Sequence, residues 1–118
     1  MNYQLLSTRH AKYLLHAHLV FTPKYRKKIF TKAHINMMKD IFTDVCIKFD
    51  AELVGFDGEC DHVHLLVLYP PRVSIASLVN SLKGVSSRML RKHFAVFKKS
   101  YWGEGVALWS IALPTNIA

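Results

Sequence analysis

The order of apolar segments along the chain leaves few possible folds. The apolar run Leu14–Phe21 ends before a Thr-Pro pair, which is typical of a buried strand. Over Lys32–Asp50, apolar residues recur at three- and four-residue intervals, so we expect an amphipathic helix there. Two more apolar runs, Leu53–Phe56 and Val63–Tyr69, flank the turn-forming residues 57–59 and predict a β-hairpin.

The second half of the sequence predicts two consecutive helices and a last strand. Ser74 is placed to cap a helix that Gly84 would end, and a helix with a cationic face follows over residues 85–97. The apolar run Val106–Trp109 predicts the fourth strand. This order indicates an α+β fold: a ferredoxin-like or RNA-recognition-type sandwich, with helices on one face of an antiparallel sheet.

The length of 118 residues suits one compact unit, so we expect residues 1–118 to form a single domain. No apolar stretch reaches the roughly eighteen residues of a membrane span, and the first residues do not resemble a signal peptide. We therefore expect a soluble, cytoplasmic protein that does not bind membranes. Cys46 and Cys60 lack metal-ligand or redox spacing and are expected to stay reduced.

The net charge of +8 is distributed unevenly along the sequence. All but one of the 8 acidic residues lie between Asp40 and Asp61. The acid-free stretches on either side carry the residues that we expect to contact nucleic-acid phosphates, namely Lys24, Arg26, Lys27, Lys28, Lys83, Arg88, Arg91 and Lys92. Such a surface suits nucleic acid because each neutralised phosphate releases counterions. A basic surface that only confers solubility is the alternative, and charge alone does not decide between them.

Two histidines on the third predicted strand, His62 and His64, are separated by one residue. Side chains alternate along a strand, so both imidazoles are expected on one face of the sheet, about 6 to 7 Å apart. At that spacing they could hold one divalent ion between them. For an isolated pair, histidines that only form hydrogen bonds at a sheet edge are the commoner case, so the surrounding sequence has to decide.

The sequence around this pair resembles the small transposases of the insertion-sequence 200/605 type. These belong to the HUH class, named for histidine, hydrophobic residue, histidine. The resemblance lies in ordered blocks that span nearly the whole chain: His18–Lys28, Cys60–Val67, Ser74–Gly84 and Leu108–Ser110.

This resemblance implies a homodimeric enzyme of a bacterial or archaeal cell that recognises hairpins in single-stranded DNA at the ends of a mobile element. His62 and His64 would hold Mg²⁺ or Mn²⁺ against the scissile phosphate. A tyrosine on a C-terminal helix, followed four residues later by a glutamine ligand, would attack phosphorus and leave a free 3′ hydroxyl. No nucleotide cofactor is needed, because the covalent link conserves the phosphodiester energy.

The chain departs from the family pattern after Ser110. Its only glutamine is Gln4, and none of its tyrosines is followed by glutamine four residues later. We therefore assign the nucleophile to no residue, interpret the sequence as a truncated or decayed copy, and expect strand cleavage to be weak or absent. Tyr101, beside Trp102, is interpreted as a packing or base-stacking residue.

Three assignments have competing interpretations. Asp61 either orients a liganding imidazole or simply starts the strand. His16 and His18 repeat the spacing of the histidine pair and could lie near a metal, although His18 is interpreted as structural. The cations of residues 83–92 are favoured as phosphate contacts over a solvated helix face.

Two other functions compete with a transposase. The same fold and basic face could form a catalytically inactive module that binds single-stranded nucleic acid. A small metal-dependent hydrolase would activate water instead of tyrosine. A covalent protein–DNA adduct would indicate a transposase, whereas binding alone or nicking without an adduct would indicate the other two.

Overall fold

A computed structural model describes residues 15–98, 108–109 and 116–117. Its sheet consists of three long strands and one of two residues: β1 (Leu15–Phe21), β2 (Glu52–Glu59), β3 (His62–Tyr69) and β4 (Asn116–Ile117). The strand order is β2-β3-β1-β4, and each neighbouring pair is antiparallel. The helices α1 (Lys32–Lys48) and α2 (Ile75–His93) complete the fold.

Alternation along the central strands places the core on one face of the sheet. In β1, Ala17, Leu19 and Phe21 are buried, whereas His16 and His18 on the opposite face are exposed. The core is completed by fully buried side chains from β3, α1 and α2: Val63, Leu65, Val67, Met38, Phe42, Leu78, Leu82 and Leu90. The predicted α+β sandwich with helices on one face is therefore confirmed, and the other face is left for the histidines.

The first predicted helix forms and ends two residues earlier than expected. At its start, the Thr31 hydroxyl accepts the His34 backbone N–H, while His34 Nδ1 accepts the Thr31 N–H at 3.0 Å. At its end, Asp50 adopts a left-handed conformation with φ of 57°. The backbone N–H groups of residues 49–51 bond to the carbonyls of Cys46 and Ile47, which closes the helix.

The prediction that Gly84 ends a helix was wrong. Residues on both sides of Gly84 belong to the single helix α2. Buried positions follow at four-residue intervals across the glycine, at Leu78, Leu82, Ser86 and Leu90. Burial of this continuous stripe stabilises the helix by more than the roughly 1 kcal/mol by which a glycine disfavours a helix interior.

The predicted hairpin forms, but its turn was placed wrongly. Asp57, Gly58 and Glu59 continue β2, and the chain reverses at Cys60 and Asp61 instead. The register explains the extension, because residues 57–59 pair with residues 64–62 of β3. A Cβ on Gly58 would lie 2.9 Å from Ile35, so a glycine here permits close approach of strand and helix rather than a turn.

The fourth strand also differs from the prediction. Trp109 forms one isolated bridge with Pro23, while β4 pairs with Ala17 and His18 of β1. Val106 and Ala107 lie outside the described residues, as do Tyr101 and Trp102. The two described residues of the apolar run, Leu108 and Trp109, are buried in the core.

Two further predictions from the sequence concern the state of the cysteines and membrane-spanning segments. Cys46 and Cys60 are both free, as predicted, and burial raises the pKa of the Cys46 thiol to about 12. In residues 15–98, no helix is long and apolar enough to cross a bilayer.

Candidate metal centre and nucleic-acid interface

The two histidines of β3 lie side by side on the sheet face opposite the helices. Their ring centroids are 4.9 Å apart. Val63 between them points to the opposite face and is fully buried, which fixes the orientation of the strand against the core. Because β3 is paired on both sides, by β1 and β2, the pair sits on a central and rigid element. The predicted shared face of His62 and His64 is confirmed.

Asp61 holds the ring of His62 from one side. Its Oδ1 lies 2.8 Å from His62 Nδ1. The hydrogen bond from His62, with the Arg26 charge as a smaller contribution, holds the pKa of Asp61 below its usual value. With Nδ1 donating to the carboxylate, Nε2 of a neutral His62 keeps its lone pair for a metal ion. Asp61 lies in the turn just before β3, and its carboxylate contacts the His62 ring there.

Arg26 reaches the same carboxylate from a different part of the chain. It belongs to a short 3-10 turn, Lys24–Arg26, and its Nη2 lies 3.4 Å from Asp61 Oδ2. The Arg26 side chain is 68% exposed, so this contact is weak and leaves most of the guanidinium facing solvent. Arg26, predicted as a phosphate contact, therefore connects the basic turn to the histidine pair through Asp61.

His18 joins the pair on the same face. Its ring centroid is 5.5 Å from that of His64. Even so, no three histidine, cysteine, aspartate or glutamate side chains within the described ranges stand together as a metal-binding group. His62 and His64 alone would thus supply two ligands, and the remaining positions of an ion would be filled by other groups.

Two carboxylates near the histidines were missed because their segment was expected to be a turn. Asp57 is paired with His64, and Glu59 with His62, across the β2–β3 ladder. Paired residues of neighbouring strands project to the same face, and both acids are exposed. Extending the strand alternation through residues 57–59 would have revealed them. Their charges favour a cation on this face.

The cations predicted on α2 fall into two groups. Arg88 and Lys92 are exposed, as a phosphate contact requires. Lys83 is half-buried with its Nζ 5.3 Å from the centre of the Phe21 ring, and burial lowers the pKa of its ammonium group. Arg91 is also half-buried, and its Nε and Nη2 atoms are buried without a hydrogen-bond partner in the described part of the chain.

An aromatic cluster brings the two basic regions together. Phe30, just after the basic turn, packs against Phe97 beyond α2 and against Trp109, with ring centroids 6.2 and 5.4 Å apart. Trp109 donates its indole N–H to Ser86 of α2 at 2.9 Å. The basic residues 24–28 and the second half of α2 therefore lie next to each other although they are distant in sequence.

A surface cavity of about 500 Å³ lies elsewhere, between the first turns of α1 and the end of β2. Ile35, Phe56 and Cys60 are among the residues that line it. Gly58 approaches Ile35 here, on the helical side of the sheet. Asp57 and Glu59 also line this cavity, so it reaches the edge of the sheet face that carries the histidines.

Comparison with known proteins identifies the family. Residues 11–112 match the family model described as "Transposase IS200 like". The chain is 32% identical over 98 residues to the ISDra2 transposase TnpA of Deinococcus radiodurans, an alignment that covers 83% of this chain and 69% of the relative. It is also 32% identical to the transposase for insertion sequence element IS200 of Salmonella typhimurium, covering 80% of this chain and 62% of that protein.

A crystal structure shows the same fold. It is that of a Deinococcus radiodurans R1 protein assigned as a transposase, with a TM-score of 0.76 and 33% sequence identity. The match covers 85% of this chain and 75% of that one. The resemblance found in the sequence blocks is thereby confirmed, and the chain belongs to the IS200-like transposase family.

Proposed function

We propose that this chain is the metal-binding and DNA-binding core of a transposase that acts on hairpins in single-stranded DNA. The observation that carries the proposal is the Asp61–His62–His64 arrangement on an open sheet face. It combines two neighbouring imidazoles, one of them held by a carboxylate, with a basic turn that reaches the same carboxylate. These are the parts needed to hold a phosphodiester next to a divalent ion.

The residues present suit a divalent ion that also takes oxygen ligands. His62 and His64 would hold Mg²⁺ or Mn²⁺, with Asp57 and Glu59 on the neighbouring strand adding negative charge. When bound, such an ion withdraws charge from the phosphate oxygens and so stabilises the transition state for phosphoryl transfer. Asp61 would keep His62 in the required orientation and tautomer.

The basic residues would bind the DNA backbone on both sides of this centre. Lys28, Arg88 and Lys92, which are exposed, would contact phosphates, and Arg26 would add a contact beside the histidines. In the reaction, a tyrosine oxygen forms a bond to phosphorus while the bond from phosphorus to the 3′ oxygen breaks, and the leaving oxygen takes a proton to become a hydroxyl. The homodimer implied by the resemblance stays a prediction, which sedimentation with and without hairpin DNA would check.

A second candidate function is a module that binds single-stranded nucleic acid without cutting it. The sheet face and basic turn would serve binding equally well without a nucleophile.

Incubation with hairpin DNA and Mn²⁺, followed by a denaturing gel, tests the proposal. We expect salt-dependent DNA binding that Mn²⁺ strengthens, and His62→Ala with His64→Ala should abolish the strengthening while leaving the salt dependence. A covalent adduct lost in the double variant would demonstrate transposase chemistry. Tight binding without an adduct would favour the binding module, and nicking without an adduct would favour a hydrolase. DNA binding that is the same with and without Mn²⁺, and the same in wild type and the double variant, would contradict the assigned metal centre.

A further inference from the structure

Tyr25 presents an aromatic ring to solvent at the tip of the basic turn. Its exposure is 68%, higher than that of any other large apolar side chain in the described residues. A tyrosine ring carries a large apolar surface that gains free energy when it is covered. The exposed part of the ring is therefore accessible to a ligand with a flat apolar face.

The backbone around Tyr25 is held in a conformation that its residue types disfavour. Tyr25 has φ of 65° and ψ of 14°, and Arg26 has φ of 49°. Two consecutive non-glycine residues in the left-handed region are unusual, and such conformations persist only where the surroundings impose them. Here the Lys24 N–H donates to the Leu108 carbonyl at 2.8 Å, and the Arg26 N–H donates to the Pro23 carbonyl at 2.8 Å. Buried Pro23 anchors the turn through its bridge to Trp109.

The position of the turn relates the ring to the candidate metal centre. Arg26, the next residue, contacts Asp61, whose other oxygen bonds to His62. Within four residues of Tyr25 the chain also carries Lys24, Lys27 and Lys28. An exposed ring thus projects from a fixed turn that is surrounded by cations and is two side-chain contacts away from the histidine pair.

We propose that Tyr25 stacks on a base of single-stranded DNA whose backbone crosses the histidine pair. This inference rests on the proposed function. Unpaired bases offer their faces to aromatic side chains, whereas the bases of a hairpin stem are already stacked on each other. The ligand is therefore a nucleotide of the single strand next to the stem. The neighbouring cations favour nucleic acid over an apolar protein partner.

Fluorescence of 2-aminopurine, placed in the single strand next to the stem of a hairpin oligonucleotide, tests the stacking, since stacking on an aromatic ring quenches it. We expect wild-type protein to quench the probe, and Tyr25→Phe to retain the quenching and most of the affinity. Tyr25→Ala should lose the quenching and bind about 5- to 100-fold more weakly. Ile47→Ala, which removes a side chain of similar exposure (63%) from α1, should bind like wild type.

The dependence of DNA affinity on salt concentration distinguishes base stacking from charge interactions. Tyr25→Ala should leave the slope of log affinity against log salt concentration unchanged, whereas Lys28→Ala should reduce it by about 1. If wild-type protein binds in a salt-dependent manner but Tyr25→Ala binds and quenches equally well, the stacking role is overturned while the proposed function stands. If wild-type protein does not bind the hairpin oligonucleotide at all, the proposed function itself fails.

Discussion

The candidate metal centre depends most on Asp61. It lies in the two-residue reversal between β2 and β3, so its carboxylate meets His62 as the chain enters the strand. The ring of His62 is 23% exposed, which leaves it accessible from one side. One hydrogen bond between adjacent residues thus favours one orientation and one tautomer of the His62 ring.

Replacement of Asp61 tests this orienting role. We expect Asp61→Ala to weaken Mn²⁺ binding about 10- to 100-fold, because the His62 ring would lose its partner, and Asp61→Asn to have an intermediate effect. Titration of free Mn²⁺ by electron paramagnetic resonance measures the affinity. Asp44→Ala, which removes an exposed carboxylate from α1, is the matched control. Equal affinities for the Asp61 variants and the control would mean that Asp61 only starts the strand.

At this scale the sequence predicted the part of the site that depends on local geometry. Strand alternation was sufficient to place His62 and His64 on one face. The contact of Arg26 with Asp61 joins residues 35 positions apart, and no local pattern reports such a pair. Asp57 and Glu59 were missed for a different reason, since their Asp-Gly-Glu sequence favours a turn and only pairing with β3 shows that they extend the strand.

The elements of the fold show where packing outweighs local preference. Glycine was interpreted as a helix end at residue 84 and as part of a turn at residue 58, and both interpretations failed. At residue 84 the buried stripe of α2 continues through the glycine. At residue 58 the glycine lets β2 approach α1. The periodic elements β1, α1 and β3 were predicted correctly because their apolar patterns are long and regular.

The two glycines should respond oppositely to the same substitution. A Cβ at Gly84 would have only an ordinary 3.6 Å contact with Arg88, so Gly84→Ala should stabilise the protein by about 0.5–1 kcal/mol. Gly58→Ala should destabilise it, because its Cβ would lie 2.9 Å from Ile35. Urea unfolding measures both changes. A destabilising Gly84→Ala would show that this position needs glycine for a reason beyond α2 packing.

At the scale of the whole molecule, the basic region and the histidines lie on different parts of the surface. The helices and the aromatic cluster of Phe30, Phe97 and Trp109 hold the basic turn beside α2. The opposite face of the sheet carries His18, His62 and His64, and the acidic residues described near them lie along β2 and at the turn before β3. A DNA backbone drawn to the basic region would pass the Arg26–Asp61 contact to reach the histidines. Neither basic segment alone shows this continuity, because it depends on long-range contacts.

Pulsed electron paramagnetic resonance of Mn²⁺ bound to the protein tests the central claim most directly. If two imidazoles of β3 hold one ion, the spectrum will show nitrogen couplings from two histidines. His64→Ala should reduce these couplings to those of one nitrogen ligand, and His93→Ala, at an exposed histidine of α2, should leave them unchanged. Bound Mn²⁺ without nitrogen coupling, or with couplings that persist when both His62 and His64 are replaced by alanine, would contradict the account.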